Sequence, residues 1–205
     1  MNDKKIRLKD MSMRKRIDDE IILQAALKCF AAYGYKKTTL EDIAGELGLG
    51  ISSVYAYTTS KRALYEDVVR YVMLRWQSRV KAAAERETTA ASRFRVLCET
   101  ALLYLAEDTD FCALLKNDAT IFPMFPEADP YEEINAESVG MIARVLEEGQ
   151  QSGEFRKLDT GAVSELIFSI YKGFIIRAYI ECEERFMETN LAQALDLITN
   201  GILSK

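Results

Sequence analysis

Apolar residues recur along this chain at three- and four-residue intervals, the period of helices, and no convincing two-residue alternation or hairpin signal interrupts them. In "IDDEIILQAALKCFAAYGY", Ile22, Ala26, Cys29, Phe30 and Tyr33 share one face. Asp18, Asp19 and Glu20 fall in the first turn, where the helix dipole favours acids. Gly34 suits the left-handed position just past the end. In "TTLEDIAGELG", Thr38 and Glu41 have the spacing of a capping box. Leu40, Ile43, Ala44 and Leu47 form the apolar stripe, and Gly48 ends it. "ISSVYAY" predicts a third, short helix with Ile51, Val54 and Thr58 inward, Ser52 and Ala56 outward, and Ser53 and Tyr55 on the flanks. A fourth helix opens near Ser60 or Lys61 and buries Leu64, Val68, Tyr71 and Val72, with Arg75 and Arg79 on its wet side.

Helical spacing continues to the end. Phe94, Leu97, Ala101 and Leu105 make the next stripe, and "FCALLKND" is a short helix. "TIFPMFPEADP" holds all three prolines and reads as a connection. "YEEINAESVGMIARVLEEGQQSG" is helical up to Gly153, and helices over 160–182 and 190–203 close the chain. The expected class is all-α, with about nine helices: a three-helix head over 1–60 and a helical body over 61–205.

Composition narrows the chemistry. Hydrophobic residues at 49% and charged residues at 29% describe an ordinary soluble globular chain. The start has no apolar run of signal-peptide length. The most apolar stretch, 162–180, carries Glu165, Lys172 and Arg177. At roughly 2.5–3.5 kcal/mol per mid-membrane charge, it is not a span, and a cytoplasmic protein is expected. Cys29, Cys98, Cys112 and Cys182 show no C-x-x-C spacing and are expected as thiols. The absence of His removes the commonest general base and metal ligand, so no metal or other cofactor is expected. Residues 1–62 hold 12 Lys and Arg against 8 Asp and Glu; residues 63–205 hold 15 against 24. A polyanion would therefore meet the head, although a plain solvated face explains the asymmetry about as well.

Two short helices joined by a glycine turn form a helix-turn-helix unit, whose second helix can enter a DNA major groove. The small or adaptable Ile51, Ser52, Ser53 and Ala56 let that helix approach base edges. Tyr55 and Tyr57 offer phenolic donors to bases or phosphates. Lys61 can pair with a phosphate, and Thr38 and Thr39 offer hydroxyls at a helix start. Gly-linked helices and tyrosine clusters also occur as plain packing. The ordered set of features in "IILQAALKCFAAYGYKKTTLEDIAGELGLGISSVYAYTTSKRALYEDVV" resembles the DNA-binding head of the tetracycline-repressor (TetR) family over about residues 17–70. That resemblance implies that Ser52, Ser53, Tyr55 and Ala56 face bases. It implies that Thr39, Tyr57 and Lys61 hold phosphates, and that Ile51 sits where specificity is set. The chain departs from the family at Thr58, where an aromatic residue is usual, so a thinner seam behind the third helix is expected. Arg14, Lys15 and Arg16 read either as a basic arm touching DNA or as a solubilising tail.

The body resembles the family in architecture alone, which implies ligand binding and dimerisation. Val163, Leu166, Ile167, Ile170 and Phe174, with Leu191, Leu195, Ile198 and Ile202, form stripes suited to a four-helix homodimer interface or to a deep monomeric core. Trp76, Phe111, Leu115, Ile121, Phe122, Met124, Phe125, Met141 and Phe168 are the pocket candidates for an apolar or aromatic small-molecule effector, with core packing as the plainer reading. The function expected from the whole is a sequence-specific DNA-binding regulator, a dimeric repressor released from a pseudo-palindromic operator by that effector. A DNA-bound scaffold that recruits a protein is the alternative. A helical enzyme built on Glu132 and Glu133 is set aside, because adjacent helical positions diverge and no His can complete a ligand pair.

Overall fold

The computed structural model describes the backbone of residues 3–121, 129–181 and 186–203, with side chains from residue 19 onward except 187 and 188. The described residues form nine α-helices and no strand. Residue contacts group the chain into two units, Met1–Tyr71 and Val72–Lys205.

In the first unit, α1 (Asp3–Lys37) packs on α2 (Leu40–Leu47), and α2 on α3 (Ile51–Tyr57). α1 starts earlier than the apolar pattern indicates, since no Gly or Pro interrupts residues 3–33. It breaks at Gly34, whose φ of 74° suits glycine alone. The core holds Ala26, Leu27, Phe30, Ile43 and Val54, together with Leu64 and Val68 from the start of α4 (Lys61–Ala84). Phe30 meets Tyr65 edge-on at 5.1 Å, and Tyr35 lies 4.9 Å from Tyr65. Tyr33 departs from the expected stripe: it is 61% exposed, because the buried face turns toward Leu27 before the chain leaves the helix at Gly34.

The second unit is built on α5 (Ala90–Glu107), α7 (Glu132–Ser152), α8 (Thr160–Ile175) and α9 (Phe186–Ile202), with the short α6 (Thr109–Asn117). α7 packs against both α5 and α8, and α9 against α5. A π-helical turn, Ile176–Ile180, follows α8. Side chains set the helix starts: Thr89, Asp108 and Asp159 accept from backbone N–H groups in the first turns of α5, α6 and α8. The Glu154 carboxylate accepts from Ala91 and Ala90 N–H, both at 3.0 Å, and these bonds hold its pKa below the usual value. Phe94, Leu97, Ala101 and Leu105 are buried as their spacing indicates. α7 ends at Gly153 in the left-handed conformation. Cys29 and Cys98 are buried thiols, and Cys112 is half-buried; Cys182 lies outside the described residues.

Gly149 on α7 faces the ring of Phe155, which meets Phe94 edge-on at 6.3 Å. A Cβ on Gly149 would sit 2.0 Å from Phe155 Cδ2. Gly149→Ala is therefore expected to cost roughly 1–3 kcal/mol by overpacking, read as a lowered thermal midpoint. An unchanged midpoint would mean that Phe155 moves aside freely.

Candidate nucleic-acid interface and body cavity

The turn between α2 and α3 follows from local chemistry. Gly48 takes φ 65° and ψ 26°, and its N–H reaches Gly45 O at 3.0 Å while Leu49 N–H reaches Ala44 O at 3.0 Å. Two orphan carbonyls are thereby satisfied, and the chain reverses within three residues. Gly50 then starts α3, accepting from Ser53 N–H at 2.9 Å.

α3 hangs on Val54, which is fully buried, and on Thr58, which is nearly so. The Thr58 hydroxyl donates to Ser60 O at 3.0 Å and receives Ser60 N–H at 3.5 Å. The seam that lacks the usual aromatic is closed by a threonine that also shapes the α3–α4 turn. Ser60 Oγ in turn accepts from Ala63 N–H at the start of α4. With one face fixed, the opposite one is open. Ser52, Tyr55 and Ala56 are exposed, Tyr55 by 57%, while Ile51, Ser53 and Tyr57 are half-buried. Burial, and then the carboxylates of Asp67 and Asp19, push the Tyr57 phenol above its usual pKa, so it stays a protonated donor at neutral pH.

One expected phosphate contact, Thr38, and the expected capping pair need revision. Thr38 is fully buried, and its hydroxyl donates to Cys29 O at 3.1 Å and Gly34 O at 2.9 Å. It ties α2 to the end of α1 and does not face solvent. The capping box is built one residue later, by Thr39 and Asp42 instead of Thr38 and Glu41. Asp42 N–H donates to Thr39 Oγ1 at 3.1 Å, and Asp42 Oδ2 accepts from Thr39 N–H at 2.8 Å and from its hydroxyl at 2.7 Å. The hydroxyl bond, then the backbone bond, lowers the Asp42 pKa. Exposed Thr39 thus presents a helix start whose cap carries a carboxylate. Lys61 Nζ donates to Thr38 O at 3.0 Å and Lys36 O at 3.4 Å and lies 4.7 Å from the Tyr35 ring centroid. Its charge is thereby held beside the end of α1 rather than on a free tether. The side chains of Arg14, Lys15 and Arg16 lie outside the described residues.

The second unit holds an apolar cavity of about 60 Å³. Of the pocket candidates, Trp76, Met141 and Phe168 line it. Phe111, Leu115 and Ile121 are buried but stand apart from it, as core packing. Phe122, Met124 and Phe125 lie outside the described residues. Several residues expected at a dimer interface serve their own subunit instead: Ile167, Phe174 and Leu195 are buried, and all three line the cavity with Ile170, Leu191 and Ile198. The reason is geometric. A helix apolar on two sides does not declare which side its own core takes. What stays open is Leu166, 59% exposed, and Ile170 on α8, with Val163 half-buried and Leu197 on α9 75% exposed. Leu197 escaped the sequence reading because it lies one position off the stripe. Gln77, Ser138 and Tyr171 also line the cavity, and their polar atoms are invisible to a search for apolar spacing.

Among the described residues no group of acids and cysteines could hold a metal ion, and no helix is long and apolar enough to cross a membrane. Residues 22–68 match the sequence profile of the bacterial regulatory proteins, tetR family. The chain is 27% identical over 147 residues to the HTH-type transcriptional repressor KstR2 of Mycolicibacterium smegmatis, covering 71% of this chain and 72% of that protein. Its fold is similar to that of the transcriptional regulator FadR from Bacillus subtilis, solved with stearoyl-CoA. That match has a TM-score of 0.73 at 19% identity and covers 89% of this chain and 98% of the other. A putative transcriptional regulator from Saccharomonospora viridis, solved with choline, matches with a TM-score of 0.74 at 23% identity over 91% and 98% of the two chains.

The buried hydroxyl of Thr38 gives a direct check on the head. Thr38→Val removes a buried hydroxyl that donates to two carbonyls and is expected to destabilise by roughly 1–3 kcal/mol, whereas Thr38→Ser is expected to retain most of the stability. Thermal unfolding measures both, and equal midpoints for Val, Ser and Thr would contradict the anchoring role.

Proposed function

We propose that this chain, which belongs to the tetR family of bacterial regulatory proteins and is a DNA-binding transcriptional regulator rather than an enzyme, works as a cytoplasmic dimeric repressor released from a pseudo-palindromic operator by an apolar or aromatic small molecule. The observation that carries the DNA role is the open Ser52–Tyr55–Ala56 face of α3, opposite the buried Val54 and Thr58. On this reading Ser52, Ser53, Tyr55 and Ala56 meet base edges. Ile51, at the N-terminal end of α3, tunes the fit to the thymine methyl or its absence. Thr39, Tyr57 and Lys61 hold phosphates; Lys61 keeps one of its three N–H donors for that purpose beyond the two carbonyls it caps. We keep residues 1–60 as the reading head and 61–205 as the sensing and pairing body.

One recognition helix reads only a few base pairs, so two copies are needed to reach two half-sites about 34–36 Å apart. Leu166, Ile170 and Leu197 give the pairing surface its apolar contacts. The cavity supports effector release over the protein-recruiting scaffold, which has no use for it. Two proteins of similar fold bind small molecules, stearoyl-CoA and choline. Trp76 on the cavity wall and Lys61, which directly follows the head, belong to the same helix, α4. A ligand that prefers one position of that helix shifts the population of DNA-competent dimers.

Each good base contact is worth roughly 1–3 kcal/mol. Ser52→Ala with Tyr55→Ala is therefore expected to weaken binding to a selected operator by at least about tenfold without changing the thermal midpoint. Lys61→Met is expected to reduce the slope of log affinity against log salt by about one. Electrophoretic or fluorescence titration at several salt concentrations reads both. Unchanged operator affinity in the double variant sinks the assignment.

A further inference from the structure

Among the described residues, none that lines the cavity is charged. Its polar side chains are few, and several of their atoms are already engaged. The Gln77 amide nitrogen donates to Ile134 O and to Ser138 Oγ, and Ser138 Oγ donates to Ile134 O at 3.3 Å. The Trp76 indole N–H donates to Ala101 O at 3.1 Å. The Cys98 thiol is pushed up to about 12 by burial and is a weak donor at best. Tyr171 is different. It is buried, it lines the cavity, and its hydroxyl has no hydrogen-bond partner among the described residues. Its ring stacks with Trp76 at 5.3 Å and Phe168 at 5.9 Å, with interplanar angles of 23° and 20°. Neither neighbour offers an acceptor, since the Trp76 N–H is spent on Ala101 and Phe168 has no polar atom.

A buried hydroxyl without a partner is destabilising, and natural cores seldom keep one without a use for it. We propose that the cavity takes an uncharged, flat and mainly apolar molecule bearing one hydrogen-bond-accepting oxygen, such as an aryl ketone, and that the Tyr171 hydroxyl reads that oxygen. This deepens the effector reading above and rests on it. A carboxylate or phosphate ligand would be buried without a counter-charge. A quaternary ammonium would want aromatic faces standing around it, whereas these three rings stack with one another. At about 60 Å³ the space is smaller than the roughly 150 Å³ that admits benzene. The ligand therefore enters by moving the wall.

The test uses the full chain with acetophenone and ethylbenzene, near-isosteres that differ by the carbonyl oxygen. Trp76 is the single tryptophan of the chain and reports binding through its emission; ligand-observed NMR checks it. In Tyr171→Phe the ratio of acetophenone to ethylbenzene affinity is expected to fall about tenfold, with ethylbenzene binding retained. The free variant is expected to unfold at the same temperature as the parent or higher, because the deleted hydroxyl has no partner among the described residues. An unchanged affinity ratio overturns the role of Tyr171, as does a lowered midpoint of the free variant. Tighter binding of choline or octanoate than of acetophenone overturns the uncharged class. Ala101→Leu, which narrows the cavity, is expected to abolish binding of both aryl probes; binding that survives it unchanged overturns the location. If acetophenone binds through Tyr171 and the operator complex is unaffected at saturation, the ligand chemistry stands and release by effector fails.

Discussion

A helix of seven residues has no stability of its own in water, because nucleation costs more than so few hydrogen bonds return. α3 therefore exists only through what it buries, and what it buries most deeply is Val54, with Thr58 closing the turn behind it. The glycine turn before it and the Thr58–Ser60 turn after it fix both ends of the chain that carries it. The same burial leaves Ser52, Tyr55 and Ala56 exposed on the opposite side. Anchoring and exposure are thus two consequences of one helical period, and the DNA reading proposed for α3 depends on both.

The head is legible in the sequence to the extent that its determinants are local. Helix period, Gly48 and the inward side of α3 could all be read directly, since each rests on residues within a few positions of one another. The start of α2 could not. Thr38–Glu41 and Thr39–Asp42 satisfy the same capping pattern, and the choice between them is made by the core, which takes the Thr38 hydroxyl for the Cys29 and Gly34 carbonyls. Tyr33 escaped for a related reason: its helix ends one residue later at Gly34, before the stripe completes another turn.

In the body, the helices were legible and the assignment of their faces was not. α8 is apolar on two sides, and periodicity carries no information about which side meets the subunit's own core. Ile167 and Phe174 go inward and Leu166 stays out. The cavity was legible only in part, through Trp76, Met141 and Phe168. A cavity is what packing leaves over, and it depends on contacts among α4, α5, α7, α8 and α9 that no short window contains. Its polar residues are the more informative ones, since an apolar wall accepts many molecules while a hydroxyl without a partner discriminates among them.

The most direct measurement replaces Tyr55 with a photoreactive phenylalanine analogue and maps its cross-links on operator duplex. The expected result is cross-linking to major-groove base positions in two half-sites, symmetric about the operator centre and suppressed by competing operator but not by unrelated DNA. Cross-links confined to the protein itself, or spread along DNA without regard to sequence, would contradict the claim that α3 is the reading element.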